Sequence, residues 1–440
     1  MSKPNILFFF ADDQRFDTIG ALGNNEINTP NLDRLVENGT TYTHASIMGG
    51  TSGAICMPSR AMLMTSRTLF HLDRQGQDVP ADHTMLGEVL QSAGYATFGT
   101  GKWHNGCSAY ARSFSQGDRV FFGGMSDHYK VPLNPFDPEG TYPEDQIYFE
   151  EKRHSSDLFS SAACEFLDCY DSDDPFFLYL SFTAPHDPRD THPKYHNMYD
   201  ASSLSVPENF LERHPFNHGD FEVRDEKLVP WPRTPGIVQE HLAAYYAMIT
   251  HLDAQVGEVL DVLKRNGKAE NTIIIFAGDN GLAVGQHGLF GKQNMYEHSV
   301  RVPLIFSGPG IPAGEQRDAF AYLIDIYPTL IELLGLECPS SVEGTSLLDS
   351  FSDPDLLVRD AFLYAYKDFQ RSARDRRMKL IEYNADGGRN TQLFDLEKDP
   401  WETRNLVGEE KHSEDIRRLR VQLDRWHTEF DDPTEPWWNG

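Results

Sequence analysis

Three short stretches of this 440-residue chain hold side chains whose types and spacing suit the handling of an anion. Asp12 and Asp13 follow an apolar run at 6–11, and Asp279 and Asn280 follow another at 272–277, after Gly278. In open α/β sheets ligands sit beyond the carboxyl ends of the strands. Two acidic strand ends would therefore gather hard oxygen ligands, a set for calcium or magnesium rather than zinc. An Asp-Asp pair alone serves equally well as a turn or a cap; the second acidic strand end favours the metal. The third stretch is Cys56-Met57-Pro58-Ser59-Arg60. Pro58 suits the first turn of a helix, so Cys56 falls just before a helix N-terminus, where free backbone N–H groups stabilise an anion.

These residues need rigid elements to position them. Short runs at 6–11, 176–182, 272–277 and 302–306 are apolar on both faces, as in central strands of a sheet covered on both sides. Amphipathic stretches at 31–38, 84–93, 155–170, 237–266 and 327–334 read as helices between them. Strands alternating with helices predict a doubly wound α/β domain. Two long excursions, 122–148 and 195–235, are rich in Pro and aromatics, and loops of that length are usually functional. After residue 355 the pattern changes to strand-like pieces at 361–366, 378–383 and 391–395 and a charged helix at 413–430. The expected division is 1–355 for the larger domain and 356–440 for a small α+β subdomain closing over its edge.

With 39% apolar and 24% charged residues the chain has the balance of a soluble globular protein, and it contains no apolar run long enough to span a bilayer. The run at 6–11 is too short for a secretory h-region and lacks a cleavage site. The chain as written is expected to be cytoplasmic, or periplasmic or secreted if a leader has been removed. The net charge of −28 argues against nucleic acid and anionic membrane surfaces as partners. A small anionic substrate remains open, provided its site is made locally cationic. The five cysteines form no C-x-x-C pair and suggest neither a disulfide framework nor a zinc site; Cys164 and Cys169 read as packing residues of a helix.

The segment from Cys56 to Ser66 resembles the C-x-P-S-R-x-x-L-x-T-G signature of the type I, formylglycine-dependent sulfatases. The stretch 94–104, ending Gly101-Lys102-Trp103-His104, is similar to their second signature, and Pro4-Asn5-Ile6 running into Asp12-Asp13 to the family's opening. The resemblance extends to Pro185-His186, Gly278-Asp279-Asn280-Gly281, His287-Gly288 with Lys292, and Leu393-Phe394-Asp395-Leu396 with Asp399-Pro400 and Asn405-Leu406. Ser66 stands where the signature has Gly, for which a small backbone adjustment is expected.

The resemblance implies an alkaline-phosphatase-like sandwich, with a large mixed sheet flanked by helices and a small C-terminal α+β subdomain. It implies that Cys56 is oxidised to formylglycine by a formylglycine-generating enzyme and hydrates to a gem-diol. One hydroxyl would attack sulfur and the other would expel sulfate, a release route that a thiol lacks. Calcium would lie on Asp12, Asp13, Asp279, Asn280 and the modified Cys56 as Lewis acid. Arg60 would orient the diol, Lys102 and Lys292 would hold sulfate oxygens, His104 would take the proton at collapse, and His186 would bind sulfate or protonate the leaving oxygen.

Candidate substrate contacts are Gln14 and Arg15 beside the acidic pair, Asp127 and His128 in the first excursion, His287, His298, and Lys367 and Arg371 from the C-terminal part. The leading substrate is a carbohydrate sulfate, a small molecule or an oligosaccharide, because acidic and aromatic loops suit sugar hydroxyls and ring faces. Trp437 and Trp438 would pack on the chain itself or on another subunit of a homo-oligomer. Two other functions use the same residues: a phosphonate or phosphate ester hydrolase of the same superfamily, and a non-catalytic binder of sulfated ligands. The set Cys56, Arg60, Lys102, His104, His186 and Lys292 speaks against the binder, which has no need of a turnover apparatus.

Overall fold

The computed structural model describes residues 3–439. Its strands are β1 (Asn5–Ala11), β2 (Gly39–Ser46), β3 (Gly49–Gly50), β4 (Ala96–Lys102), β5 (Gln116–Phe121), β6 (Phe176–Ser181) and β7 (Thr272–Gly278), followed by β8 (Arg301–Val302), β9 (Leu304–Ser307), β10 (Glu315–Tyr322), β11 (Phe362–Tyr366), β12 (Gln370–Arg374), β13 (Met378–Ala385) and β14 (Gly388–Asp395). Among the described residues they form two sheets. The large one runs β10-β2-β9-β7-β1-β6-β4-β5, with β8 added to β2. β1 lies at its centre, parallel to β6 and β7, while β9 runs antiparallel to β7 and β2. The sheet is therefore mixed.

Period-2 alternation in β1 divides its side chains between two cores. Ile6, Phe8 and Phe10 join one cluster; Leu7, Phe9 and Ala11 join the other, against the helices Ser155–Cys169 and Pro235–Arg265. Burial on both faces is why the run carries no polar residue. The run expected at 302–306 is interrupted at Pro303, between β8 and β9; proline has no N–H to give to a ladder.

The second sheet has the order β14-β13-β12-β11-β3. Its edge strand comes from far back in the chain: Gly49 and Gly50 pair in parallel with Ala365 and Tyr366. Gly49 has φ +98°, and a Cβ there would lie 2.0 Å from the Ala365 carbonyl oxygen, so only glycine fits. The helix Ser413–Glu429 packs on this sheet through Leu419, Leu423 and Trp426, together with Trp437 and Trp438. The two terminal tryptophans thus pack within the chain, and Trp438 Nε1 donates to Asp424 at 2.8 Å. Cys164 is half-buried in its helix as expected, but Cys169 at the helix end is exposed. No helix among the described residues is long and apolar enough to cross a membrane.

Candidate active site

Strands β1 and β7 are adjacent and in register, so their carboxyl ends deliver Asp12, Asp13, Asp279 and Asn280 to one place. A strand would send Asp12 and Asp13 to opposite faces. Asp13 instead has φ +69°, a left-handed conformation that turns the chain at the sheet edge. The Asp13 N–H donates to Asp279 Oδ1 at 3.0 Å, and Asn280 Nδ2 donates to Asp13 Oδ1 at 2.7 Å.

Cys56 is the first residue of the helix Cys56–Thr65, with Pro58 in its first turn. Its buried Sγ lies 3.4 Å from His104 Nδ1, 3.5 Å from Lys102 Nζ and 3.9 Å from Lys292 Nζ. Lys102 also bridges to Asp12 Oδ2 at 2.5 Å and to the Gly124 carbonyl at 2.6 Å. Lys292 pairs with Asp13 Oδ1 at 2.6 Å. Arg60, one helical turn beyond Cys56, donates through Nε to Asp279 Oδ2 at 2.9 Å and through Nη1 to the Lys102 carbonyl and Ser181 Oγ. His186 Nε2 stands 3.7 Å from Asp13 Oδ2. Three cations and two histidines thus surround this quartet of three carboxylates and one amide, in a chain that is otherwise strongly negative.

The donor set fits a hard divalent cation. Asp12 and Asp279 are both pushed up to about 6, by burial first; the charges at Cys56 and Asp13 add to the effect on Asp12, and that of Asp12 to the effect on Asp279. Burial raises Asp13 too, but Lys292 and His186 outweigh it and hold that carboxylate well below its usual range. Asp12 Oδ1 and Asn280 Oδ1 are buried without a hydrogen-bond partner. Buried polar atoms of this kind are normally paired, and oxygen ligands with room for a cation are how calcium is held. These groups are placed to bind a divalent metal.

The cavity above Cys56 has a volume of about 300 Å³ and is lined by His104, Gly124, Met125, His186, Arg224 and Lys292, among others. Both excursions reach it, the first through Gly124 and Met125 and the second through Val223, Arg224 and Asp225. Arg224 and Asp225 were not picked out by their sequence context; the only signal was the length and composition of the loop that carries them.

None of the expected substrate contacts lines that wall, and all but Asp127 are buried or engaged internally. Arg15 pairs with Asp17 at 2.6 Å, Lys367 with Asp220 at 2.5 Å, and the buried Arg371 with Asp432 at 2.5 Å. His287 stacks on Tyr296 at 3.8 Å, His298 is buried behind that ring, and Gln14 is wholly buried. His128 is buried and meets the His186 carbonyl oxygen at 2.9 Å, so it positions the His186 loop rather than facing the cavity. Asp127 lines a neighbouring cavity. Ser66, at the signature's departure, caps the helix with φ +53°; its hydroxyl donates to the Ile324 carbonyl and accepts from Gly344 N–H.

Burial pushes His104 down to about 2, with Lys102 and Arg60 adding to the effect, and pushes His128, His214 and His241 down to about 4. His154, His218, His287 and His298 lie lower than usual for the same first cause. Between pH 6.5 and 4 the unfolded chain binds protons that these folded histidines refuse, so stability is full above pH 6.5 and is lost as pH falls. Asp12, His71, Glu226, Asp253, Asp279, Glu382 and Glu402 act in the opposite sense but are fewer. The thermal unfolding midpoint is therefore expected to drop steadily from pH 7 to pH 4.5; a rise on acidification would contradict this balance.

A mixed sheet thus carries at its strand ends a buried cluster of three carboxylates and an amide, faced by cations. The profile of the Sulfatase family matches residues 4–336, and that of the N-sulphoglucosamine sulphohydrolase C-terminal region matches residues 285–429. The chain belongs to the sulfatase family and is a sulfuric ester hydrolase. It is 30% identical to an arylsulfatase of Clostridium perfringens, covering 96% of this chain and 94% of that one. It is 25% identical to an N-acetylglucosamine-6-O-sulfatase of Bacteroides thetaiotaomicron, over 98% and 87% respectively. A solved structure described as bound to its substrate, D-glucosamine-2-N,6-O-disulfate, superposes with a TM-score of 0.82 at 23% identity, covering 99% of this chain and 100% of that one. A phosphonate monoester hydrolase of Agrobacterium radiobacter shares the fold with a TM-score of 0.75 at 22% identity, each chain covered to 96%.

Proposed function

We propose that the chain hydrolyses a sulfate monoester on a carbohydrate, using a calcium ion and a formylglycine made from Cys56. The observation that carries this reading is the placement of Cys56 Sγ within 4 Å of Lys102, His104 and Lys292, next to the acidic quartet. Relatives named as acting on sulfated glucosamine support the carbohydrate.

Asp12, Asp13, Asp279 and Asn280 would hold calcium, which when bound supplies Lewis acidity toward sulfate oxygens. Oxidation of Cys56 would supply a hydrated aldehyde as an oxygen nucleophile with its own leaving step. The other residues work through position and charge. Arg60 fixes Asp279 and the Lys102 carbonyl, and so sets the angle between the Cys56 helix and the metal ligands. Lys102 and Lys292 bring two ammonium groups to the anion and compensate a cluster that would otherwise repel it. His104, held neutral by burial and adjacent cations, can accept a proton at Nδ1 beside Cys56. His186 faces the same cavity and is placed to assist the leaving oxygen. Residues 1–355 carry the centre, and 356–440 pair with the stretch ahead of Cys56 through Ala365 and Tyr366 on Gly49 and Gly50.

The test uses protein whose Cys56 peptide is confirmed as formylglycine by mass spectrometry. Hydrolysis of an aryl sulfate should be lost on chelation and restored by calcium, and should exceed that of the matching aryl phosphate and phosphonate by about tenfold or more in kcat/KM, a difference of roughly 1.4 kcal/mol in transition-state binding. Equal or faster phosphonate hydrolysis would overturn the sulfate assignment.

A further inference from the structure

A second cavity of about 620 Å³ opens beside the first, and the two share Met125 and Arg224 on their walls. Arg189, Asp127, Glu240 and His241 also line it. Its two arginines differ in kind. Arg224 is 44% exposed and already compensated, with Nη1 and Nη2 on Asp187 at 2.5 and 2.8 Å. Arg189 has no carboxylate within ion-pair distance among the described residues. Its Nη1 donates to His241 Nδ1 at 2.7 Å, while Nε and Nη2 are shielded from solvent and meet no acceptor.

A shielded guanidinium with two idle N–H groups is out of place in a chain of charge −28. Packing does not require it: Arg189 only leans across the Tyr245 and Phe290 rings, 6.0 Å from each. His241 accepts from Nη1, so in this contact it is a neutral imidazole that orients the guanidinium and does not oppose it with charge. The remaining carboxylates of the cavity, Asp127 and Glu240, are exposed and solvated at its rim, where screening weakens them. Asp187 and Asp225 are taken up by Arg224, so Arg189 brings an uncompensated charge to a cavity that lies next to the proposed reaction centre.

We propose that this second cavity is a subsite for a further anionic group, a sulfate or a carboxylate, carried by the same glycan as the scissile sulfate and held by Arg189 beside Arg224. The inference rests on the carbohydrate reading above and narrows it to multiply charged glycans. Arg189 suits either oxyanion, since its planar fork matches both geometries. The group removed and the group recognised are then distinct: one lies over Cys56, and the other across the Met125–Arg224 boundary.

Calorimetric titration of the unmodified Cys56 protein tests this without turnover. One arm compares N-acetylglucosamine 6-sulfate with glucosamine 2-N,6-O-disulfate; the other compares glucose and glucuronate sulfated at the same carbon. In at least one arm the doubly charged sugar should bind about tenfold tighter, as expected of one added charge-assisted contact, and that arm identifies the anion. Arg189→Gln should remove the difference, and Arg189→Lys should retain part of it. Equal Kd values within both arms for the wild-type chain overturn the subsite, whether or not the variants fold. So does a wild-type preference that Arg189→Gln, folded by circular dichroism, leaves intact. Loss of aryl-sulfate hydrolysis in formylglycine-bearing protein would strike the reaction instead, independently of these affinities.

Discussion

Replacing Cys56 by alanine will lower kcat/KM toward an aryl sulfate by about 10⁴-fold or more, the scale seen when a nucleophile is removed from a site whose binding groups remain. Residual activity is expected to be small, because Lys102, Lys292 and His104 converge on the Cys56 side chain itself. Little stability should be lost. Cys56 begins its helix, and the helix is held by Arg60 and Ser59, which donate to the Asp279 side chain and carbonyl oxygen. Matched kinetics and thermal unfolding of the variant and the formylglycine-bearing parent check both statements. A variant with full hydrolytic activity would remove Cys56 from the mechanism.

The second large effect is structural. Lys379 on β13 is wholly buried and contacts Glu297 and Glu402, each at 3.0 Å, while Arg374 on β12 holds the other oxygen of Glu297 at 2.9 Å. This network joins the C-terminal sheet to the short helix Glu297–Val300 of the larger domain. Lys379→Met keeps the stem and deletes the charge, leaving Glu402 buried without a cation. Breaking one side of such a pair costs about 3–5 kcal/mol. Glu402 is already pushed up to about 7, by burial first. The deficit should therefore shrink as pH falls below 7 and the carboxyl takes a proton. Denaturant unfolding of the parent and variant at pH 8 and pH 5.5 measures this, and a deficit that grew on acidification would refute it.

The central strands were legible because β1, β6 and β7 are apolar on both faces and end in residues that cannot continue a core. The clustering of Asp12, Asp13, Asp279 and Asn280 was legible for the same reason: carboxylates at strand ends have strong local meaning, as has a proline after a cysteine. Strands that carry their polarity inward were not. β12, Gln370–Arg374, is buried at every position, yet its arginines are paired with Asp432 and Glu297, partners 61 and 77 residues away. β2 and β10 are rich in Thr or charge and gave no period-2 signal. The distant contacts failed for a related reason. Lys367, Arg371 and Arg15 have the chemistry of substrate ligands, and only the fold shows that carboxylates of the chain already occupy them. Arg189 is the reverse case: its immediate neighbours in sequence gave no hint that it would be left without a counterion.

The pairing of Gly49–Gly50 with Ala365–Tyr366 also orders events in time. The stretch ending six residues before Cys56 cannot find its partner strand until a further 316 residues have been made, counting from Gly49 to Ala365. Throughout that interval the growing chain carries Cys56 beside a strand whose partner does not yet exist. Completion of β11 closes the interval and gives Gly49–Gly50 its place at the edge of the smaller sheet. The sheet edge beside the Cys56 helix is thus finished only by chain made long after it.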